Sequence, residues 1–378
     1  MSANIRPAGT FDTSYAQDIA LNRTRGDKLT KLALTVIVLL IPVLADAGVL
    51  FSASWVGLVN RIAIGVIAVQ GLNILLGYAG QTSLGHAAFV AVGAYSAALM
   101  ARGFVVPVGD TVLQFPALPF WLVIPLAALL AGGIGLIFGL PSLRVKGFYL
   151  AMATLAAQFI IPWVLKYPLA PITNGTRPLE VPVPELFGLR LSSESEIFYL
   201  IVPLSIVLML LARNIIRTRI GRAFVSIRDN DLAAEQLGIN VFRYKLGAFF
   251  LSALYAGIAG ALLAYQTNSI SLDSFTLAQS IEFLAMLVIG GAGFPLGPLL
   301  GVAFVTVLIQ SIIPTLIPTV NAVLPSLLPF LDPVNIFASL QPMMFGLVLI
   351  LFLIIEPRGL AHRWEILKIS WKIRPYSH

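Results

Sequence analysis

Residues 58–101 read LVNRIAIGVIAVQGLNILLGYAGQTSLGHAAFVAVGAYSAALMA. Two apolar runs, 58–78 and 84–101, flank a short polar break. Each approaches the roughly 20 residues a helix needs to cross about 30 Å of hydrocarbon. Lipid offers no hydrogen-bond partners, so spanning backbone is helical, and irregular backbone at that depth must be satisfied by protein or by a wet cavity. Gly77, Gly80, Gln81, Thr82, Ser83, Gly85 and His86 therefore mark a break set between two spans.

The rest of the chain repeats this pattern. Of 378 residues, 58% are hydrophobic and 11% charged, against about 25% charged in a soluble domain. The expected fold is an all-α, polytopic transmembrane helix bundle. Its spans are placed at 32–52, 58–78, 84–101, 120–140, 147–166, 197–212, 246–266, 281–293, 297–316 and 335–355, about 10 in number within a range of 8–10. Small residues inside them, such as Gly132, Gly133, Gly135 and Gly139, permit close helix contact. There are no cysteines, which excludes disulfides, thiolate metal sites and thiol chemistry. Residues 1–31 lack the apolar stretch of a cleavable signal peptide and read as a polar tail.

The net charge of +7 is distributed in blocks between spans, which argues for cytoplasmic loops and against a nucleic-acid partner. Placing the N-terminus inside puts three basic regions inside with it: the loop with Arg144 and Lys146, the segment 213–245, and the tail 356–378. The segments 167–196, with Glu180, Glu185, Glu194 and Glu196, and 267–280, without Lys or Arg, then fall outside. The domain plan is a cytoplasmic tail 1–31, a membrane domain 32–355 and a cytoplasmic tail 356–378, in a lipid bilayer.

Two features stand out at the inner ends of spans. YAGQTSLG at 78–85 is echoed by GAGFPLG at 291–297, so Gly291 and Gly293 join the first break as candidate path residues; an ordinary tight turn is the alternative. Residues 221–257 contain RDNDLAAEQLGIN, in which Asp229, Asn230 and Asp231 offer N-caps and Gly238 with Asn240 supplies the stop. A short helix is expected there, with Ala233 and Ala234 exposed for close approach by another surface, or else resting on lipid headgroups.

AAEQLG at 233–238 resembles the "EAA" cytoplasmic loop of ABC importer membrane subunits. With GYAGQTSLGHAAF and IRDNDLAAEQLGINVFRYKL, the chain from about 56 to 355 resembles the LivM-type permeases of branched-chain amino acid importers. The resemblance implies a bacterial-type inner-membrane subunit that works with a homologous LivH-like permease, two cytosolic ATPases and a periplasmic or extracellular substrate-binding protein. Related permeases serve urea and amides. The chain has no G-x-x-x-x-G-K-[ST] loop, so ATP would be used by partner subunits, with no cofactor bound here. On this resemblance Arg228, Asp229, Asn230, Ala233, Ala234 and Gly238 lie at the ATPase contact and act mechanically, with no catalytic residue.

Two other classes fit parts of the sequence. An intramembrane serine hydrolase would use Ser83 and His86, but Gln81 stands where the nucleophile elbow has its first glycine, and no acid orients His86. An ATP-independent transporter or channel would use ionisable groups within spans: Asp46, Arg61 and Glu282 qualify, though each lies near a predicted span end. Glu356 is expected to pair with Arg358 at a boundary. His86 without a second His, Cys or nearby carboxylate makes no metal site; it is read as a neutral ring bonded to a neighbouring helix, with Gln70, Asn73 and Tyr95 as candidate partners.

Overall fold

The structure is a computed structural model that describes residues 40–43, 53–108, 111–143, 147–186, 188–315, 343 and 346–373. Residues 1–57 and 58–378 are separate contact units; of the first, only 40–43 and 53–57 are described, and both stretches are helical.

The described chain is mostly helical. Helix α1 spans Ala53–Leu72 and continues as a π-helix over Asn73–Tyr78; α2 is His86–Arg102, α3 Phe120–Gly139 and α4 Phe148–Lys166. Then come α5 (Glu194–Arg217), α6 (Arg219–Asp229), α7 (Asp231–Gln236), α8 (Val241–Thr267), α9 (Leu277–Gly290), α10 (Gly297–Val307) and α11 (Leu360–Ile373). Among the described residues, 7 helices are long and apolar enough to cross a membrane: Ser54–Tyr78, Phe120–Gly139, Tyr149–Lys166, Glu194–Arg217, Val241–Thr267, Leu272–Gly290 and Gly297–Thr315. The expected span 84–101 is α2, one turn shorter than a full crossing at 17 residues. Most of the expected span 32–52, residues 335–342 and 344–345 of the expected span 335–355, the loop with Arg144 and Lys146, and the tail 1–31 lie outside the described residues.

Helix ends follow side-chain chemistry more than hydropathy. The span expected at 197–212 starts three residues earlier because Ser193 and Glu196 form a capping box: the Ser193 hydroxyl accepts from Glu196 N–H at 3.2 Å, and Glu196 Oε2 accepts from Ser193 N–H at 2.9 Å. Asn240, expected to stop α7, instead starts α8, its Oδ1 accepting from Arg243 N–H at 3.0 Å. The stop falls to Gly238 at φ +82°, with Ile239 N–H returning to the Ala234 carbonyl at 3.0 Å.

The core is a knot of α2, α3 and α8. Helix α2 is rich in alanine and buried on every side from His86 to Tyr95. A Cβ at Gly257 would meet Ala128 Cα at 2.9 Å, and one at Gly260 would meet Ala94 N at 2.8 Å. With lipid tails as apolar as leucine, such backbone-level contact and the dispersion it gains hold helices together.

Connections sort to two ends of the bundle. At one end, Thr82 donates to the Gly147 carbonyl, Arg228 to the Gly77 carbonyl and Asn73 to the Phe294 carbonyl. Rings of Phe294 and His362, centred 6.0 Å apart, add the start of α11. At the other end, Asn60 donates to Glu194 Oε2 at 2.8 Å, and among the described residues three short antiparallel ribbons join loops of the otherwise helical chain. These are Phe104–Val108 with Thr111–Phe115, Leu179–Glu180 with Ser269–Ile270, and Glu185–Leu186 with Leu189–Arg190. The second ribbon joins the two segments, 167–196 and 267–280, that charge assigns to one side.

Candidate functional site

The first break is built from the end of α1. Winding to a π-helix over Asn73–Tyr78 lets Gln81 N–H reach back to the Leu75 carbonyl at 3.0 Å, and Gly80 turns at φ +67°. The chain then runs irregularly to Gly85 before α2 begins. A helix start leaves its first N–H groups without partners, and Gly85 has no side chain to cap them.

Neighbouring helices supply the missing acceptors. Thr154 Oγ1 takes Leu84 N–H at 3.0 Å, Ser280 Oγ takes Ala87 N–H at 2.9 Å, and Gln158 Oε1 takes Ala88 N–H at 3.1 Å. Thr154 itself donates to the Ala151 carbonyl, and Ser280 Oγ donates to Gln158 Oε1 at 2.8 Å. Gln158 Nε2 closes the network on the Phe275 carbonyl at 2.9 Å. The cap of α2 is therefore tertiary and buried, on residues that sequence reading passed over. A lone amide or hydroxyl within an apolar span is the signal that points to them, because such groups must find partners.

His86 is fully buried and bonds through Nε2 to the Ala68 carbonyl at 2.8 Å, so the ring proton is on Nε2 and Nδ1 is left as an acceptor. It thus reaches a neighbouring helix as expected, but by a backbone carbonyl and not through Gln70, Asn73 or Tyr95. Its ring edge meets Phe283, centroids 6.0 Å apart. Ser83 Oγ and His86 Nδ1 each lack a hydrogen-bond partner among the described residues, so no nucleophile–base pair forms between them. No group of three or more His, Cys, Asp or Glu side chains able to hold a metal occurs among the described residues.

The second break faces the first. Gly291 and Gly293 have φ +107° and +83°. Asn73 Oδ1 accepts from Gly293 N–H at 2.8 Å while its Nδ2 donates to the Phe294 carbonyl at 3.1 Å. A Cβ on Gly77 would lie 3.1 Å from Gly293 Cα, so the two breaks touch backbone to backbone.

Helix α6 brings the third part. Arg228 Nη1 donates to the Gly77 carbonyl at 2.8 Å and its Nε to Asp229 Oδ1 at 3.1 Å. A Cβ on Gly80 would meet Arg228 Cγ at 2.8 Å. Beside this contact a cleft of about 320 Å³ is lined by Gly80, Gln81, Gly147, Arg228, Asp231 and Lys245, the last two paired at 3.3 Å. Gln81 is 3% exposed, and neither of its amide atoms has a hydrogen-bond partner among the described residues. The two sets of residues singled out in the sequence, 77–86 with 291–293 and 228–238, thus meet at Arg228.

In α7, Asn230 is the cap, its Oδ1 accepting from Ala233 N–H at 3.1 Å. The expected exposure of the alanine pair is half right: Ala233 is exposed, but Ala234 is 1% exposed and packs inward. The outward surface carries Leu232, 66% exposed, and Leu237, 81% exposed, two leucines flanking the pair that the sequence reading did not use. Of the ionisable suspects, Arg61 Nη1 donates to Gln310 Oε1 at 3.2 Å and Glu282 is half-buried, while Asp46 lies outside the described residues. Glu356 pairs with Arg363 and not with the expected Arg358, because the turn at Gly359 brings the first turn of α11 back over it.

Long apolar helices packed on small residues, with breaks at 79–85 and 291–296 whose backbone is satisfied within the protein, define a multi-pass membrane protein. The chain belongs to the family described as branched-chain amino acid transport system / permease component, whose model matches residues 54–353. It is 34% identical over 290 residues to the high-affinity branched-chain amino acid transport system permease protein LivM of Salmonella typhimurium, covering 70% of this chain and 64% of that one. To the protein of the same description from Escherichia coli it is 35% identical over 252 residues, 60% of this chain and 56% of the other. The match thus spans less than two thirds of either enterobacterial protein. A probable branched-chain amino acid transport permease protein LivM of Methanocaldococcus jannaschii is 24% identical over 308 residues, 80% of this chain and 82% of that one. No solved structure matches the chain.

Proposed function

We propose that this chain is the membrane-spanning permease subunit of an ATP-driven importer for branched-chain or related amino acids. Its partners are a homologous second permease, two cytosolic ATPases and an external substrate-binding protein. The observation that carries the reading is the family match over 54–353. The chain crosses the inner membrane about ten times with both termini in the cytoplasm, and the end that gathers α6, α7 and the two breaks is the cytoplasmic one. Charge supports this: Arg213, Arg217, Arg219, Arg222, Arg228, Arg243 and Lys245 all fall in the segment at that end.

ATP is hydrolysed by the partners, which dock on α7. Leu232, Ala233, Leu237 and Gly238 form an apolar, small-residue contact, and Asp229 flanks it. The passage runs between this subunit and the second permease, shaped by the 77–86 and 291–293 breaks. Gln81 and Ser83 offer buried polar atoms beside it, Thr82 holds Gly147, and His86 and Gly85 serve the packing. Broken helix ends supply backbone groups for the substrate's ammonium and carboxylate without a buried ionised side chain.

The test is reconstitution of the four kinds of subunit in vesicles. Leucine uptake is expected to need ATP and the binding protein; a stable homomer that transports without ATP would sink the proposal. Leu237→Asp is expected to weaken recovery of the ATPases on this subunit by about tenfold, the loss of one apolar anchor, and unchanged recovery removes α7 from the contact. Orientation is checked with single cysteines, since the chain has none of its own. Ser192→Cys should react with an impermeant maleimide on intact cells, and Glu235→Cys only after the membrane is opened. The reverse order inverts the topology.

A further inference from the structure

We infer that Asn73 and Arg228 together form a staple that makes both glycine breaks move with α7, an assignment that rests on the permease reading above. Three hydrogen bonds carry it: Arg228 Nη1 to the Gly77 carbonyl at 2.8 Å, Gly293 N–H to Asn73 Oδ1 at 2.8 Å, and Asn73 Nδ2 to the Phe294 carbonyl at 3.1 Å. The bonded groups are 151, 220 and 221 positions apart in the chain, so nothing local requires any of them.

The identity of each group explains its place. Gly77 lies near the end of the π-helical turn that closes α1: the Ile74, Leu75 and Leu76 carbonyls are taken by backbone N–H groups of 79–81, the Gly77 carbonyl is taken by Arg228, and this end of the helix carries the negative end of its dipole. A guanidinium is suited to such a carbonyl because it stays charged and its rigid fork loses little freedom per bond formed. Arg228 is the penultimate residue of α6, and Asn230, two residues on, caps α7. A displacement of α7 therefore reaches Gly77 through two peptide units and one side chain.

It does not stop at α1. Asn73 sits one turn before Gly77, and its amide uses both ends to hold the second break. The Gly77 to Gly293 contact is between backbones, so there is no side chain to yield between them. The α1–α2 break and the α9–α10 break are thereby joined as one body, and Arg228 ties that body to the helix offered to the ATPases. Asn73 and Arg228 are positioning residues; neither needs to touch substrate.

The test uses the full reconstituted complex, measuring leucine uptake and ATP hydrolysis in parallel. The variants are Asn73→Ala, Arg228→Ala, their double, Arg228→Lys, and Ser193→Ala as a capping change at the opposite end. Each single alanine variant is expected to lower uptake per ATP by about fivefold or more while hydrolysis persists. The double should fall no further than the worse single, and Arg228→Lys, which keeps a donor for the Gly77 carbonyl, should recover at least half of the ratio. Ser193→Ala should lower thermal stability and leave the ratio alone. If Asn73→Ala fails to assemble, Asn73→Asp carries the test: it keeps the acceptor for Gly293 and loses the donor to Phe294, so a partial drop is expected. An unchanged ratio, or losses that multiply in the double, overturns the staple. A wild-type complex without ATP-driven uptake overturns the permease reading instead.

Discussion

Gly260→Val is expected to prevent recovery of a folded, monodisperse protein. A Cβ at this position would lie 2.8 Å from Ala94 N and closer still to the Val90 carbonyl, both of them backbone of α2. Neither can rotate away, so α2 and α8 must separate, which also opens the Gly93–Gly257 crossing less than one turn away. Overpacking of a rigid core costs about 1–3 kcal/mol and sometimes more, and backbone-on-backbone contact puts this site at the upper end. Gly133→Ala is the matched control, since nothing lies within 4 Å of a Cβ there. It should keep or raise the melting temperature, because alanine favours a helix by about 1 kcal/mol over glycine. Equal melting temperatures for Gly260→Val and wild type would show that the central crossing is looser than described.

Gln158→Leu is expected to destabilise the protein by destroying the tertiary cap of α2. It leaves the Ala88 N–H with only its 3.2 Å bond to the Gly85 carbonyl, strands the Phe275 carbonyl and removes the acceptor for Ser280 Oγ. Each buried group left without a partner costs about 1–3 kcal/mol, so the total is on the order of 3 kcal/mol or more even with some relaxation. Amide exchange at Ala87 and Ala88 should accelerate together with the fall in melting temperature. Gln158→Glu keeps the acceptor and loses the Nε2 donor, and should fall between. A leucine variant with native melting temperature and native exchange at those two amides would refute the cap.

Much of the fold is legible along the chain because membrane helices are locally self-sufficient. The runs at 58–78, 120–140 and 246–266 announce α1, α3 and α8, since a bilayer requires each span to satisfy its own backbone. The cap at Asn230 and the stop at Gly238 were equally readable, being matters of one residue and its next few neighbours. Asn240 shows where this ends: an asparagine between two helices can close one or open the next, and only the bond to Arg243 N–H decides.

The site was legible in its residues and not in its connections. Glycines at 77, 80, 291 and 293 and the run from Arg228 to Gly238 could be marked as unusual for apolar surroundings, but no local pattern says that Gly77 faces Gly293 or that Arg228 turns back into the bundle. Ala234 faces inward for a related reason, because which face of a six-residue helix is buried depends on the helices it rests against.

By itself, then, the sequence determined that this protein is a bundle of apolar helices, where most of those helices lie, and where their regular course fails, since length, hydropathy and capping are short-range properties. Only the tertiary structure decided how the failures are repaired: Thr154, Ser280 and Gln158 close the start of α2, Asn73 binds one break to the other, and Arg228 ties both to α6. The reason is that a broken helix inside a membrane loses its own hydrogen bonds and has no water to replace them, so its partners must come from elsewhere in the chain.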